Sequence, residues 1–317
     1  MGSPLEVQVA GLVWPTPVAL ASGTCGYGSE LEGLLDWGAV GALFTKGLSL
    51  EPRAGHPGPR ICDTPSGMLN AIGLENVGLD AFVRDKMSFL RAWRERHGGR
   101  VIVNLFGEAP SEYAALAARL SEVEGVDGVE LNLSCPNVHA GGIEFGRTAA
   151  GCAEVTRAVR RVTTLPVIVK LSPVSPLGAA AKACRDEGAD ALSIANTMPA
   201  MSIDVERRIP RLAAGVGGLS GPALKPIAVR AVYETARACS LPIIGIGGVT
   251  IWEDVAEYML AGATAVQVGT ALFTEPNVAR TLVDGLASYL ARHRMASVAE
   301  LIGRLEPRER WAEGGGA

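Results

Sequence analysis

Short runs of apolar and β-branched residues recur along the chain, each ending in a polar or glycine-rich cluster and each followed by a segment with helical spacing. The runs are Val18 to Ala21, Ala42 to Thr45, Val101 to Leu105, Val129 to Leu133, Val167 to Leu171, Ala191 to Ala195, Ile243 to Ile246 and Ala265 to Val268. They are apolar almost without interruption, as strands must be when both faces of a parallel sheet are covered. Between them the spacing predicts amphipathic helices such as Ser111 to Glu122, Ala149 to Val162, Pro176 to Glu187, Leu224 to Ala238 and Trp252 to Ala261. Such alternation, repeated over about 250 residues, predicts an α/β fold closed as a (β/α)8 TIM barrel in preference to an open doubly wound sheet.

Ahead of the first run, Leu5 to Leu12 alternates apolar and polar residues around Ala10-Gly11, which predicts a β-hairpin at the barrel bottom. Two further helical segments are expected beyond Thr274. The tail 311–317 ends in glycines and is expected to be disordered. With no linker and no repeat beyond the strand-helix period, residues 1–317 read as a single domain. Glycine makes up 39 of 317 residues, about 12% against a roughly 7% average, so tight turns are needed throughout.

Charge narrows the partners. A net charge of -4, with no basic cluster interleaved with aromatics, argues against nucleic acid. Val7 to Ser29 is uncharged and long enough to cross a bilayer, but Pro15, Pro17 and several glycines would break a helix there, so no membrane segment is expected. No signal peptide is visible, and a cytoplasmic location is expected. The six cysteines, at 25, 62, 135, 152, 184 and 239, lack CxxC spacing, and the histidines lack partners at metal-ligand spacing. Neither a disulfide framework nor a metal site is expected.

A barrel carries its chemistry on the loops that follow its strands. Here those positions are polar: Ser22, Lys46, Asn104, Asn132, Lys170 and Asn196-Thr197, then Gly247-Gly248 and Gly269-Thr270. Asparagine at one strand end is an ordinary turn former, but so many polar groups around one rim point to a ligand. Glycines after the seventh and eighth strands let backbone N–H groups approach a phosphate. Lys46 and Lys170 stand at apolar strand ends, where burial is costly unless each meets an anion or an electron-rich ring. Flavin mononucleotide (FMN) meets both demands.

Asn132-Leu133-Ser134-Cys135-Pro136-Asn137-Val138 sets a thiol beyond a buried strand, between amides. A thiol's pKa of about 8.5 lies close enough to neutrality for Cys135 to serve as a general base. His139, on the same stretch, is left unassigned. The long connection from Gly47 to about Lys86 contains Pro65-Ser66-Gly67-Met68-Leu69-Asn70-Ala71-Ile72-Gly73-Leu74, whose small residues would let the backbone lie close to a flat ligand.

These motifs together resemble class 1 dihydroorotate dehydrogenases, the class 1B catalytic subunit more than class 1A. The resemblance runs from about Leu5 to Pro276 and rests on ASGT at Ala21 to Thr24, TKGLSLEPR at Thr45 to Arg53, TPSGMLNAIGLEN at Thr64 to Asn76, NLSCPNV at Asn132 to Val138, VKLSP at Val169 to Pro173, ANT at Ala195 to Thr197, GGLSGPALKP at Gly217 to Pro226, GIGGV at Gly245 to Val249 and QVGTALF at Gln267 to Phe273. It implies that Cys135 is the base. It also implies that Ser22, Lys46, Gly47, Asn104, Asn132, Lys170, Ala195, Gly221, Gly247, Gly248, Gly269 and Thr270 hold FMN. Dihydroorotate or orotate would contact Lys46, Asn70, Ala71, Ile72, Gly73, Leu74, Asn132, Asn137, Asn196 and Thr197. Class 2 enzymes differ in having a serine base and a membrane-binding N-terminal extension, neither of which is expected here.

The resemblance further implies dihydroorotate oxidation in de novo pyrimidine biosynthesis, with electrons leaving to NAD+ through a subunit that carries FAD and a [2Fe-2S] cluster, around a homodimer core within a heterotetramer. This chain has no GxGxxG between a strand and a helix, so NAD+ needs a partner. His139 stands where the family commonly has lysine. Rival readings are a fumarate-linked class 1A enzyme, dihydropyrimidine dehydrogenase, whose substrate is expected to lack the carboxylate assigned to Lys46, and a non-catalytic phosphate-binding barrel.

Overall fold

A hairpin opens the fold: β1 (Val7–Val9) pairs antiparallel with β2 (Leu12–Trp14). Ala10 and Gly11 form its turn with φ of 53° and 75°, the two positive values that a two-residue hairpin of matching twist requires. The pairing reaches Trp14, two residues past the expected end. The wholly buried Trp14 ring packs edge-on against Phe44, and Arg100, which opens a barrel strand, donates from Nε to the Val13 carbonyl. The hairpin therefore closes the N-terminal end of the barrel. The computed structural model describes residues 3–133 and 145–306.

The chain next forms barrel strands β3 (Val18–Leu20) and β4 (Ala42–Phe44). Before the third stave come a second hairpin, β5 (Ile61–Thr64) with β6 (Gly67–Asn70), and helices α1 (Leu79–Asp85) and α2 (Met87–His97). The segment read as a long connection is thus largely structured. Regular alternation follows: β7 (Arg100–Leu105), α3 (Pro110–Leu120), β8 (Gly128–Asn132), α4 (Ala149–Arg160), β9 (Val167–Leu171), α5 (Leu177–Asp186) and β10 (Ala191–Ile194). A second insertion carries β11 (Met198–Ala200), β12 (Ile203–Asp204), β13 (Ile209–Pro210) and β14 (Gly217–Ser220). Then come α6 (Lys225–Ala238), β15 (Ile243–Ile246), α7 (Trp252–Ala261), β16 (Ala265–Val268) and α8 (Val278–Arg292).

The staves β3, β4, β7, β8, β9, β10, β15 and β16 are all parallel and close as a barrel, with Val266 of β16 registered on Val18 of β3. This is the (β/α)8 architecture. The apolar runs coincide with the staves because each is covered on both sides, by side chains inside and by helices outside. One continuous core joins the hairpin, the barrel and the helices.

The two insertions meet above the C-terminal ends of the staves. They form a four-stranded antiparallel sheet, β11-β14-β6-β5, in which Gly218 registers on Asn70 and Leu219 on Leu69. This roof has its own small core of Leu69, Ala71 and Leu212.

Candidate active site

Between the strand ends and the roof lies a cavity of about 350 Å³. Ser22, Lys46, Gly47, Asn104, Asn132, Lys170, Ala195, Asn196 and Thr197 line it from the barrel side. Gly221, Gly247, Gly248, Gly269 and Thr270 line one flank, and Asn70, Ile72, Gly73 and Leu74 come from the first insertion. Ala71 points elsewhere: it is buried in the roof core, with its carbonyl 3.2 Å from the His56 ring. Cys135 and Asn137, like His139, lie outside the described residues.

The floor is a buried polar network that the sequence reading missed. Glu130, in the middle of β8, has no solvent exposure, and its Oε2 accepts from Asn104 Nδ2 at 2.5 Å. Its Oε1 accepts from Gln267 Nε2 at 3.1 Å, and the same Gln267 amide reaches Ser193 Oγ at 3.2 Å. Lys170 Nζ stands 3.9 Å from Glu130 Oε2, close enough to balance its charge but too far for a direct hydrogen bond. The ammonium thus keeps donors for a ligand. A signal was available. Glu130 and Lys170 are lone charges in neighbouring apolar runs, and buried charges must be compensated.

Among the described residues two amide oxygens of the floor are buried without a partner, Gln267 Oε1 and Asn104 Oδ1, and of the two residues Asn104 is the one that lines the cavity. Asn104 Oδ1 faces Gly47, where a Cβ would stand 3.0 Å away. Nearer the rim, Asn196 Nδ2 donates to Asn132 Oδ1 at 3.3 Å, and the Asn196 side-chain oxygen accepts from the Thr197 N–H at 2.7 Å. These bonds hold two amides in fixed orientations. On the roof, Asn70 Nδ2 donates to the Gly218 carbonyl at 3.3 Å.

The glycine flank is held from behind. Gly248 has φ +65°, and a Cβ there would lie 2.8 Å from Lys225 Cβ and 2.9 Å from the Gly221 carbonyl, so only glycine fits. Asp254, in the first turn of α7, accepts from the N–H groups of Thr250 and Ile251 and from Lys225 Nζ at 2.7 Å. Burial pushes its carboxyl up, but Lys225 and those donors outweigh burial and hold it below the usual carboxylate range. Thr270 Oγ1 bonds Ser220 Oγ at 2.8 Å, linking this flank to the roof.

Lys46 stands 3.9 Å from Glu75 and also lines a second cavity of about 540 Å³. There Arg53, Arg60 and Lys86 each face a carboxylate, Glu108, Glu75 and Glu30 respectively. Around the main cavity's mouth Ile61 and Phe273 are exposed, and the second insertion exposes Met201, Ile203, Val205, Ile209 and Val216. Among the described residues no helix is long and apolar enough to cross a membrane.

Comparison with known proteins gives consistent matches. A family model described as dihydroorotate dehydrogenase matches residues 4–290. The chain is 53% identical over 303 residues to the dihydroorotate dehydrogenase B (NAD(+)) catalytic subunit of Citrifermentans bemidjiense, covering 95% of this chain and 98% of that protein. It is 52% identical over 307 residues to the protein of the same name from Geotalea uraniireducens, covering 96% and 99%. A third relative of that name, from Geobacter sulfurreducens, is 52% identical over 303 residues, covering 95% and 98%.

Proposed function

The chain belongs to the dihydroorotate dehydrogenase family, and from that premise we infer that it oxidises dihydroorotate to orotate in pyrimidine biosynthesis. It is an oxidoreductase of a family that uses a flavin. We take that flavin to be FMN, held by one barrel domain. The observation that carries this reading is the floor polarity: an unpartnered acceptor, Asn104 Oδ1, beside a buried ammonium, Lys170, at the base of a cavity flanked by glycines. A flavin's pyrimidine edge, with an N–H beside carbonyl oxygens, fits that pair of groups. Its phosphate would take the N–H groups of Gly221, Gly247, Gly248, Gly269 and Thr270.

When bound, the flavin accepts the hydride from C6 of dihydroorotate. The chain's own residues do the rest. Cys135 takes the C5 proton as general base, a role that rests on its sequence setting. Lys46 meets the substrate carboxylate. Asn70, Asn132, Asn137, Asn196 and Thr197 match the alternating carbonyl and N–H edge of the pyrimidine, with Ile72, Gly73 and Leu74 supplying backbone against it, while the Ala71 backbone is held by Arg60 and His56. Lys170 stabilises negative charge that collects on the cofactor side.

The relatives are named as NAD(+)-linked catalytic subunits, which supports NAD+ as final acceptor and a separate partner subunit; that the partner carries FAD and a [2Fe-2S] cluster, in a cytoplasmic heterotetramer built on a homodimer of this chain, rests on the motif resemblance alone. The exposed apolar residues around the cavity mouth and on the second insertion support a docked partner. The test is an assay of the purified chain with dihydroorotate. We expect a yellow protein that reduces dyes but not NAD+, gains NAD+ reduction only with the partner, and in Cys135→Ala keeps its flavin while flavin reduction slows by roughly 10²-fold or more. NAD+ reduction by the lone chain overturns the partner reading, efficient fumarate use moves it to class 1A, and wild-type flavin reduction in the variant removes Cys135.

A further inference from the structure

Glu130 lines neither of the two cavities described above, yet its two oxygens fix the amides of Asn104 and Gln267 in the floor. A carboxylate can only accept hydrogen bonds. The Asn104 amide must therefore turn its NH2 toward Glu130 Oε2, 2.5 Å away, which leaves Asn104 Oδ1 facing Gly47 with no partner. The same Oε2 stands 3.9 Å from Lys170 Nζ, so one oxygen both fixes the amide and offsets the ammonium. Leaving a buried acceptor unmade is costly. Its retention beside a ligand cavity marks a place for a donor from the ligand. Oxidised isoalloxazine carries a single ring N–H, the imide N–H between its two carbonyls.

We propose that Glu130 is a positioning residue that gives the flavin site its hydrogen-bond polarity: through Asn104 it presents an acceptor to the imide N–H, and through Lys170 it moderates the positive charge beside the neighbouring carbonyl. Gly47 completes the device, because a side chain there would crowd the acceptor. The inference rests on the flavin reading above. It adds a residue that touches neither cofactor nor substrate and assigns it two separable effects.

The two effects have opposite signatures in two variants. Glu130→Gln keeps a carbonyl oxygen to accept from Asn104 but loses the charge. Glu130→Leu loses both. The apoprotein is titrated with FMN and with N3-methyl-FMN by flavin fluorescence, and the midpoint potential of bound FMN is measured by dye equilibration.

Wild type should prefer FMN by about 10-fold or more, the scale of one buried hydrogen bond. Glu130→Gln should retain that preference and raise the midpoint potential, because Lys170 then acts uncountered on the reduced, anionic ring. Glu130→Leu should lose the preference. If that variant does not fold, Gly47→Ala provides the same readout, since it covers Asn104 Oδ1 without disturbing Glu130.

Equal weakening of both flavins in Glu130→Leu or in Gly47→Ala, or an unchanged or lower potential in Glu130→Gln, overturns the proposal. Wild-type protein that binds both flavins equally also overturns it and leaves the flavin reading standing. Wild-type protein that binds neither defeats the flavin reading itself.

Discussion

The floor and the roof of the cavity are built on different physics. The floor is made of barrel staves whose side chains are fully packed, and its order comes from buried charge: Glu130, Lys170, Asn104 and Gln267 constrain one another where water cannot compete. The roof is held by backbone pairing between β6 and β14 and by a core of three residues. A network of that kind stores no slack, because moving one member strands the others. A small satellite core yields at much lower cost. The difference suits a floor that keeps a cofactor and a roof that admits and releases a substrate.

The sharpest way to break that contrast is Lys170→Ala. It leaves Glu130 buried without its counter-charge, so we expect a loss of about 3–5 kcal/mol of stability together with impaired flavin binding or reduction. Urea unfolding and flavin titration check both. Flavin content and reduction at the wild-type level would remove Lys170 from the site.

The matching cut in the roof is Leu69→Ala, which empties much of the satellite core. Local loss of about 2–3 kcal/mol is expected there, with hydrogen exchange faster across Gly67–Asn70. Steady-state kinetics should show a higher KM for dihydroorotate while FMN affinity stays within about 2-fold. Equal loss of cofactor affinity would mean that floor and roof are one unit.

The smallest effect concerns the glycine flank. Because the folded Asp254 carboxyl is held below its ordinary value, its contribution is present above the unfolded pKa of about 3.9 and is lost as pH falls through the folded value. Asp254→Asn should therefore cost about 1 kcal/mol at neutral pH, and the gap to wild type should close in acid. Thermal melts at pH 7 and below pH 4 decide it.

The same contrast explains what could be read in advance. Staves such as Val167–Leu171 announce themselves because burial on both faces demands continuous apolar residues. The roof gave no such signal. Ile61–Thr64 alternates between exposed and half-buried positions, and β14, which pairs with β6 and consists of two glycines followed by Leu219 and Ser220, resembles a loop in composition. Its pairing joins residues nearly 150 positions apart, beyond any local periodicity. At the site, Lys170, Asn104 and the glycine flank were legible as polar interruptions at strand ends. Glu130 was not legible at a strand end, because this carboxylate acts from mid-strand. Ala71 stands in sequence between cavity-lining residues, but past the end of β6 its side chain joins the roof core instead.

Barrel closure has a consequence for synthesis. The last seam joins Val266–Val268 to Val18–Leu20, and the roof cannot pair before residues 217–220 are available. A ribosome adding roughly 5–20 residues per second would expose the first staves well before their final neighbour exists. Through that interval the growing polypeptide offers apolar edges but no finished pocket. The cavity, lined by residues as late as Phe273, is complete only once nearly the whole barrel has been made.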